Sequence, residues 1–83
     1  MKVHIKYFAS IREAIGLGSE HLETQAVTLS ALRAELIARG GAYAQSLSSD
    51  RALRMAQNQV MADESSVLLE GAEIAFFPPV TGG

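Results

Sequence analysis

The sequence predicts an α+β roll, a mixed sheet packed on one main helix. Three observations carry that reading. Segments at both ends of the chain alternate apolar and polar residues with a period of two. One interior segment repeats apolar residues at helical spacing. Glycine, asparagine and proline punctuate the stretches between them.

Val3, Ile5 and Tyr7 alternate with Lys2, His4, Lys6 and Phe8, the pattern of a half-buried strand; Phe8 falls on the polar-facing side. Ser10-Ile11-Arg12-Glu13 has the form of a capping box, in which the serine accepts from the backbone N–H of Glu13. A short helix is expected to follow, with Ile11 and Ile15 on one face and Gly16 and Gly18 ending it. Residues 20–25 read as a returning strand whose main apolar residue is Leu22, and their polarity points to a sheet edge.

Thr28 is a second cap, with Val27 and Leu32 spaced for a hydrophobic staple. Leu29, Leu32, Leu36 and Ile37 form the apolar stripe of the main helix, and Glu35 and Arg39 are spaced for an ion pair on its surface. Gly40-Gly41 stops it. Residues 43–49 fit either a helical turn or a loop. Residues 53–57 read as a strand, Asn58-Gln59 as a turn and Val60–Ala62 as a short return strand. Residues 63–66 are polar and loop-like. Glu70-Gly71 turns the chain into a last strand, Glu73–Phe77, with Ile74 and Phe76 on one face and Ala75 and Phe77 on the other. Pro78-Pro79 ends it, because proline donates nothing to a sheet ladder.

A chain of 83 residues makes one small domain, too small to bury both a full core and a deep substrate pocket. A carrier, a modifier or a binding module fits that size better than an enzyme with its own active site. The formal net charge of -2 and the scattered basic residues give no footprint for nucleic acid. Cysteine is absent, which excludes a disulfide framework, a thiol nucleophile and a thiolate metal site. The opening Met1-Lys2-Val3-His4-Ile5-Lys6 lacks the apolar run of a signal peptide, and no apolar stretch approaches the ~20 residues of a membrane span. A cytoplasmic protein, bound neither to nucleic acid nor to membrane, is expected.

Conventional catalytic motifs are nearly missing. His4 and His21 lie on different strands, form no close-spaced ligand pair and read as surface histidines; no metal site is expected. No serine lies in a Gly-x-Ser-x-Gly elbow, and Asp63-Glu64 reads as a pair of solvated loop acids. Gly16-Leu17-Gly18 opens no strand–loop–helix phosphate site.

The segment Pro78-Pro79-Val80-Thr81-Gly82-Gly83 differs. Its prolines favour a stiff, extended exit, and six residues reach roughly 20 Å when extended. Gly82 and Gly83 have no Cβ and fit a channel too narrow for other residues. A carboxylate there is a poor electrophile until adenylation supplies a leaving group. The reading is a domain over residues 1–77 and an extended diglycine tail over residues 78–83.

The last strand and tail, Glu73-Ile74-Ala75-Phe76-Phe77-Pro78-Pro79-Val80-Thr81-Gly82-Gly83, resemble the C-terminus of the small subunit of molybdopterin synthase. The opening Val3-His4-Ile5-Lys6-Tyr7-Phe8-Ala9-Ser10-Ile11-Arg12-Glu13 is similar to that family's first strand and helix start. The resemblance extends over nearly the whole chain. One departure is Ala72, where an aspartate often follows the Gly71 turn, which leaves a turn hydrogen bond open. The resemblance implies a β-grasp, ubiquitin-like fold and a sulfur carrier of molybdenum cofactor biosynthesis, the non-catalytic donor subunit of an enzyme complex. In that scheme a partner enzyme adenylates Gly83 with ATP and converts it to a thiocarboxylate. Pro78, Pro79, Val80, Thr81 and Gly82 carry it into a large synthase subunit, where sulfur passes to the pterin precursor. No cofactor is expected on this chain itself. A carrier for another pathway, such as the thiamin thiazole, and a ubiquitin-like protein modifier use related chemistry and remain alternatives.

The resemblance also implies that the first and last strands are neighbours. Alternation then puts Phe8 and Phe77 together on the outer face, with Met61 on the same surface. These three residues are the expected partner interface.

Overall fold

The computed structural model describes residues 1–79. Eight elements follow one another: β1 (Lys2–Tyr7), α1 (Ala9–Ile15), β2 (Ser19–Glu23), α2 (Leu29–Ile37), α3 (Gly41–Leu47), β3 (Arg54–Gln57), β4 (Val60–Ala62) and β5 (Glu73–Phe77). The strands form one sheet in the order β2-β1-β5-β3-β4. The central pair β1 and β5 is parallel and every other pairing is antiparallel, so the sheet is mixed as expected.

Alternation along β1 and β5 supplies the inner face. Val3, Ile5 and Tyr7 are buried there beside Ile74, Phe76 and Met55, against Leu29, Leu32 and Leu36 of α2. The three leucines have no exposed surface, so one helical stripe covers the middle of the sheet. A mixed sheet whose terminal strands lie parallel at its centre, wrapped on one helix, is the β-grasp fold. The residues between α2 and β3 form a third helix, α3, which packs on both α1 and α2.

Local chemistry departs from the sequence reading in three places. The first helix begins at Ala9, so Ser10 lies inside its first turn and caps nothing. The Phe8 carbonyl accepts from Ile11 and Arg12 instead, because the chain turns at Ala9 with φ +51° directly after the strand. Gly16 closes that helix with φ +80°, as a left-handed cap. In α2, Thr28 accepts from the Ala31 N–H at 3.1 Å, but Val27 stays 68% exposed and makes no staple with the buried Leu32. Val27 is held outward because its carbonyl accepts from Leu68 while Thr28 bridges Val67. Finally, Glu35 and Arg39 do not pair. Glu35 accepts from the Thr24 hydroxyl at 2.6 Å, and Arg39 reaches Glu20 at 2.9 Å.

Two polar networks tie loops and edges to the helices. The Arg33 guanidinium is buried and donates to the carbonyls of Leu47 (2.7 Å), Ser48 (2.5 Å) and Arg51 (3.0 Å), and to Glu64 (3.0 Å). It satisfies the carbonyl end of α3 and pins two loops. Glu20, on edge strand β2, accepts from the hydroxyls of Tyr7 and Tyr43, each at 2.8 Å, and from Arg39, whose guanidinium lies 4.8 Å above the Tyr43 ring. Burial alone would raise the Glu20 carboxyl, but hydrogen bonds from Arg39, Tyr43 and Tyr7 outweigh it and hold the group below its ordinary value. Burial, then the bond to Glu20, pushes both tyrosines up.

The turn before β5 closes without an aspartate at position 72. Gly71, at φ +73°, donates to the Lys2 carbonyl at 2.8 Å, and Ala72 donates to Leu69 at 3.1 Å. These two backbone bonds hold the turn with alanine at position 72.

Candidate functional site

Among the described residues, the helices lie on the inner face of the sheet and none covers the outer one. Tyr7 pairs with Phe76 across the parallel ladder, so the next residue of each strand, Phe8 and Phe77, emerges on that face together. Their rings meet edge to face, with centroids 6.3 Å apart and planes at 88°. Ala56 is the cross-strand partner of both Ala75 on β5 and Met61 on β4, which sets these three in one row. The small side chains of Ala56 and Ala75 leave a shallow depression of about 440 Å³. Phe8, Phe77 and Met61 wall it, and Gln59 and Glu73 close its lower rim. Phe8 is 44% exposed and Met61 58%, while Phe77 is half-buried.

The three residues read from the sequence as an interface therefore share one depression. Its floor and rim were missed. Ala75 stood on the outward parity of its strand, and that was the available signal; alanine carries no hydrophobic mark of its own. The Asn58-Gln59 turn brings Gln59 to the rim with φ +51° and +68° at the two positions, the backbone of a type I′ hairpin.

The last residue of β5 is Phe77 of this depression. Pro78 and Pro79 follow outside the ladder, half-buried. Val80, Thr81, Gly82 and Gly83, read as tail and reactive end, lie outside the described residues.

The described residues offer little for catalysis. Glu73 is the carboxylate at the depression and forms an ion pair with Lys6 at 3.3 Å. Glu64 is paired with buried Arg33, and Asp63 accepts from the Ser65 hydroxyl at 2.9 Å. Among the described residues, no group of three or more histidine, cysteine, aspartate or glutamate side chains is placed to hold a metal ion. Among them, too, no helix is long and apolar enough to cross a membrane. One reading from the sequence needs correction. The β1–β2 register puts His4 and His21 directly opposite each other, with ring centroids 4.4 Å apart, so the histidines converge although they are far apart in the chain.

A β-grasp domain whose outer sheet face presents aromatic and methionine side chains, in a chain whose sequence carries Gly82-Gly83 after its last strand, defines a class: small ubiquitin-like proteins. Residues 5–83 match the ThiS family, and the chain belongs to it. It is 40% identical over 81 residues to the molybdopterin synthase sulfur carrier subunit of Haemophilus influenzae, covering 98% of this chain and 99% of the other. Identity to the Escherichia coli protein of the same name is 36%, with the same coverage. A solved complex of subunits 1 and 2 of the molybdopterin-converting factor from Helicobacter pylori contains a chain that superposes with TM-score 0.67 at 27% identity, each chain covered in full.

Proposed function

We propose that this protein is the sulfur carrier of molybdenum cofactor biosynthesis, the small subunit of a molybdopterin synthase. The observation that carries the reading is structural continuity. The strand that holds Phe77 in the apolar depression is the strand that runs into the diglycine tail. A partner that grips the tail covers the depression as well, because six extended residues reach no further than roughly 20 Å from Phe77.

The chemistry divides between chains. An adenylating partner attacks ATP with the Gly83 carboxylate, forming an acyl-adenylate and releasing pyrophosphate. Hydrosulfide delivered by a donor attacks the acyl carbon, displaces AMP, loses its proton and leaves a terminal thiocarboxylate. The loaded tail then enters the large synthase subunit, which holds the pterin precursor and supplies the acid and base groups. Sulfur passes to the precursor, and water restores the carboxylate. This chain supplies the thin tail, the docking face and the acyl carbon. The names and full-length coverage of the two curated relatives support the pathway, and the Helicobacter pylori complex supports a large-subunit partner.

Intact-mass analysis after incubation with the adenylating enzyme, ATP and a sulfur donor tests the loading step. One oxygen replaced by sulfur at Gly83 is expected. An unchanged mass beside a carrier that the same enzyme does load overturns the proposal. Sulfur transfer from the loaded protein to the pterin precursor, in the presence of the large subunit, separates this pathway from a thiazole carrier.

A further inference from the structure

We propose that His4 and His21 form a two-point chelate for a borderline divalent transition metal such as Zn²⁺ or Ni²⁺, clipping edge strand β2 to β1. The argument begins with the ladder. The Thr24 N–H donates to the Met1 carbonyl at 2.8 Å, the terminal ammonium donates back to the Thr24 carbonyl at 3.1 Å, and the Tyr7 N–H donates to Gly18 at 2.9 Å. Hydrogen-bonded pairs recur every second residue of an antiparallel ladder, so the pairs of Val3 with Leu22 and Ile5 with Glu20 are of that kind. His4 and His21 therefore occupy a non-hydrogen-bonded pair between them, the position at which opposed side chains come closest.

The rings are already gathered. They are stacked, with centroids 4.4 Å apart and planes 15° from parallel. An ion bound at about 2.0–2.1 Å by two imidazole nitrogens holds those nitrogens roughly 3 Å apart. The lone pairs lie in the ring planes, so the stacked rings send them out side by side; turning about the side-chain torsions opens the stack and brings one nitrogen of each ring to a shared ion. Neither imidazole is engaged elsewhere: no side-chain hydrogen bond or ion pair among the described residues uses a histidine nitrogen. His21 is exposed and His4 half-buried, which leaves the outer side of the pair open to an ion and its waters.

The neighbours decide which ion. Glu73 lies across from His4 on β5 but is paired with Lys6, and Glu23 on β2 stands opposite Lys2. Each flanking carboxylate thus has a lysine beside it, and the donors left are two imidazole nitrogens. Imidazole donors suit zinc, nickel and copper, whereas magnesium and calcium take oxygen. With two protein ligands the remaining positions belong to water, so the site is open and reversible, unlike a closed structural zinc centre. It lies toward the β2 edge of the sheet, whereas the Phe8–Phe77–Met61 depression lies over β5, β3 and β4 and the residue after β1. Glu73 at the rim of that depression is the neighbour of His4 on β5, so the two sites adjoin on one face, but the chelate uses neither the tail nor the three apolar residues.

The test uses the full chain without an affinity tag, titrated with NiCl₂ and with ZnCl₂ and followed by calorimetry and by NMR of amide and imidazole resonances. One ion per chain is expected, with changes centred on His4 and His21. His4→Gln and His21→Gln should each weaken binding by roughly tenfold or more, because each removes the partner that makes the second bond intramolecular. MgCl₂ should leave the spectra unchanged, and melting curves of both variants without metal should match the wild type. No binding at millimolar Ni²⁺ or Zn²⁺ overturns the proposal. So does unchanged affinity in either variant, an equal response to Mg²⁺, or one ion shared by two chains.

Discussion

Phe76 and Phe77 are adjacent in the chain, yet the sheet assigns them opposite tasks, and exchanging each in turn separates folding from docking. Phe76 has no exposed surface and stacks against Tyr7 with ring centroids 6.1 Å apart. Truncating a buried phenylalanine to alanine costs about 3–5 kcal/mol through lost burial and the cavity left behind. In a domain of this size each kcal/mol moves the melting temperature by about 4–8 °C, so Phe76→Ala should lower it by roughly 12 °C or more. Phe77 is half-buried, stands outside the core and touches Phe8 edge to face. Phe77→Asp should cost only about 1 kcal/mol of stability. As a central aromatic anchor it should cost ~2 kcal/mol or more of partner binding, which is about a thirtyfold rise in Kd. Phe8→Asp should behave in the same way. A calorimetric titration with the large synthase subunit, run beside a melting curve, measures both quantities. Wild-type affinity in Phe77→Asp and Phe8→Asp would refute the docking face. A melting temperature for Phe77→Asp as low as that of Phe76→Ala would refute the assignment of faces.

Other outcomes follow from the polar networks and turns. Arg33→Met removes the donor that three carbonyls and Glu64 share and should cost about 3 kcal/mol or more in urea unfolding; a loss below about 1 kcal/mol would mean that water replaces it at no penalty. Gln59→Gly relieves a positive φ of 68° in the Asn58-Gln59 hairpin turn and should stabilise by about 0.5–1 kcal/mol, read as a rise in melting temperature. The Glu20 carboxyl is held below its ordinary value of 4.5 in the folded chain, so below that pH the unfolded state binds the proton first. Stability should therefore fall as the solution is acidified from 4.5 downward, and Glu20→Gln should flatten that part of the profile measured by urea titration. The Tyr7 hydroxyl is pushed above its ordinary value of 10.0, by burial and then by Glu20, so stability should also fall as pH rises past 10.0, less steeply in Tyr7→Phe.

Much of this protein was set by local rules that the sequence states openly. Period-two alternation fixed which side chains of β1 and β5 enter the core, because successive side chains of a strand point to opposite faces whatever lies beyond them. The same rule placed Phe8 and Phe77 outward before any fold was known. Thr28, Gly16, Gly71 and Asn58-Gln59 marked their caps and turns because those residues satisfy backbone groups, or adopt conformations, within a few positions of themselves. The missing Cβ of Gly82 and Gly83 is likewise a property of the residues alone, while the tail they were read to form lies outside the described residues.

Tertiary structure decided what local rules leave open. Ser10 had the spacing of a cap, but the helix started where the end of β1 released the chain. Glu35 and Arg39 had the spacing of a pair, but Thr24 and Glu20 offered each a partner on another element. Residues 43–49 carried an ambiguous pattern, and the chain forms a helix over 41–47 whose carbonyl end is satisfied by buried Arg33, 14 positions before Leu47. The alanine floor of the depression and the meeting of His4 with His21 depend on strand register. That is a relation between segments far apart in sequence, which no periodicity within either segment encodes.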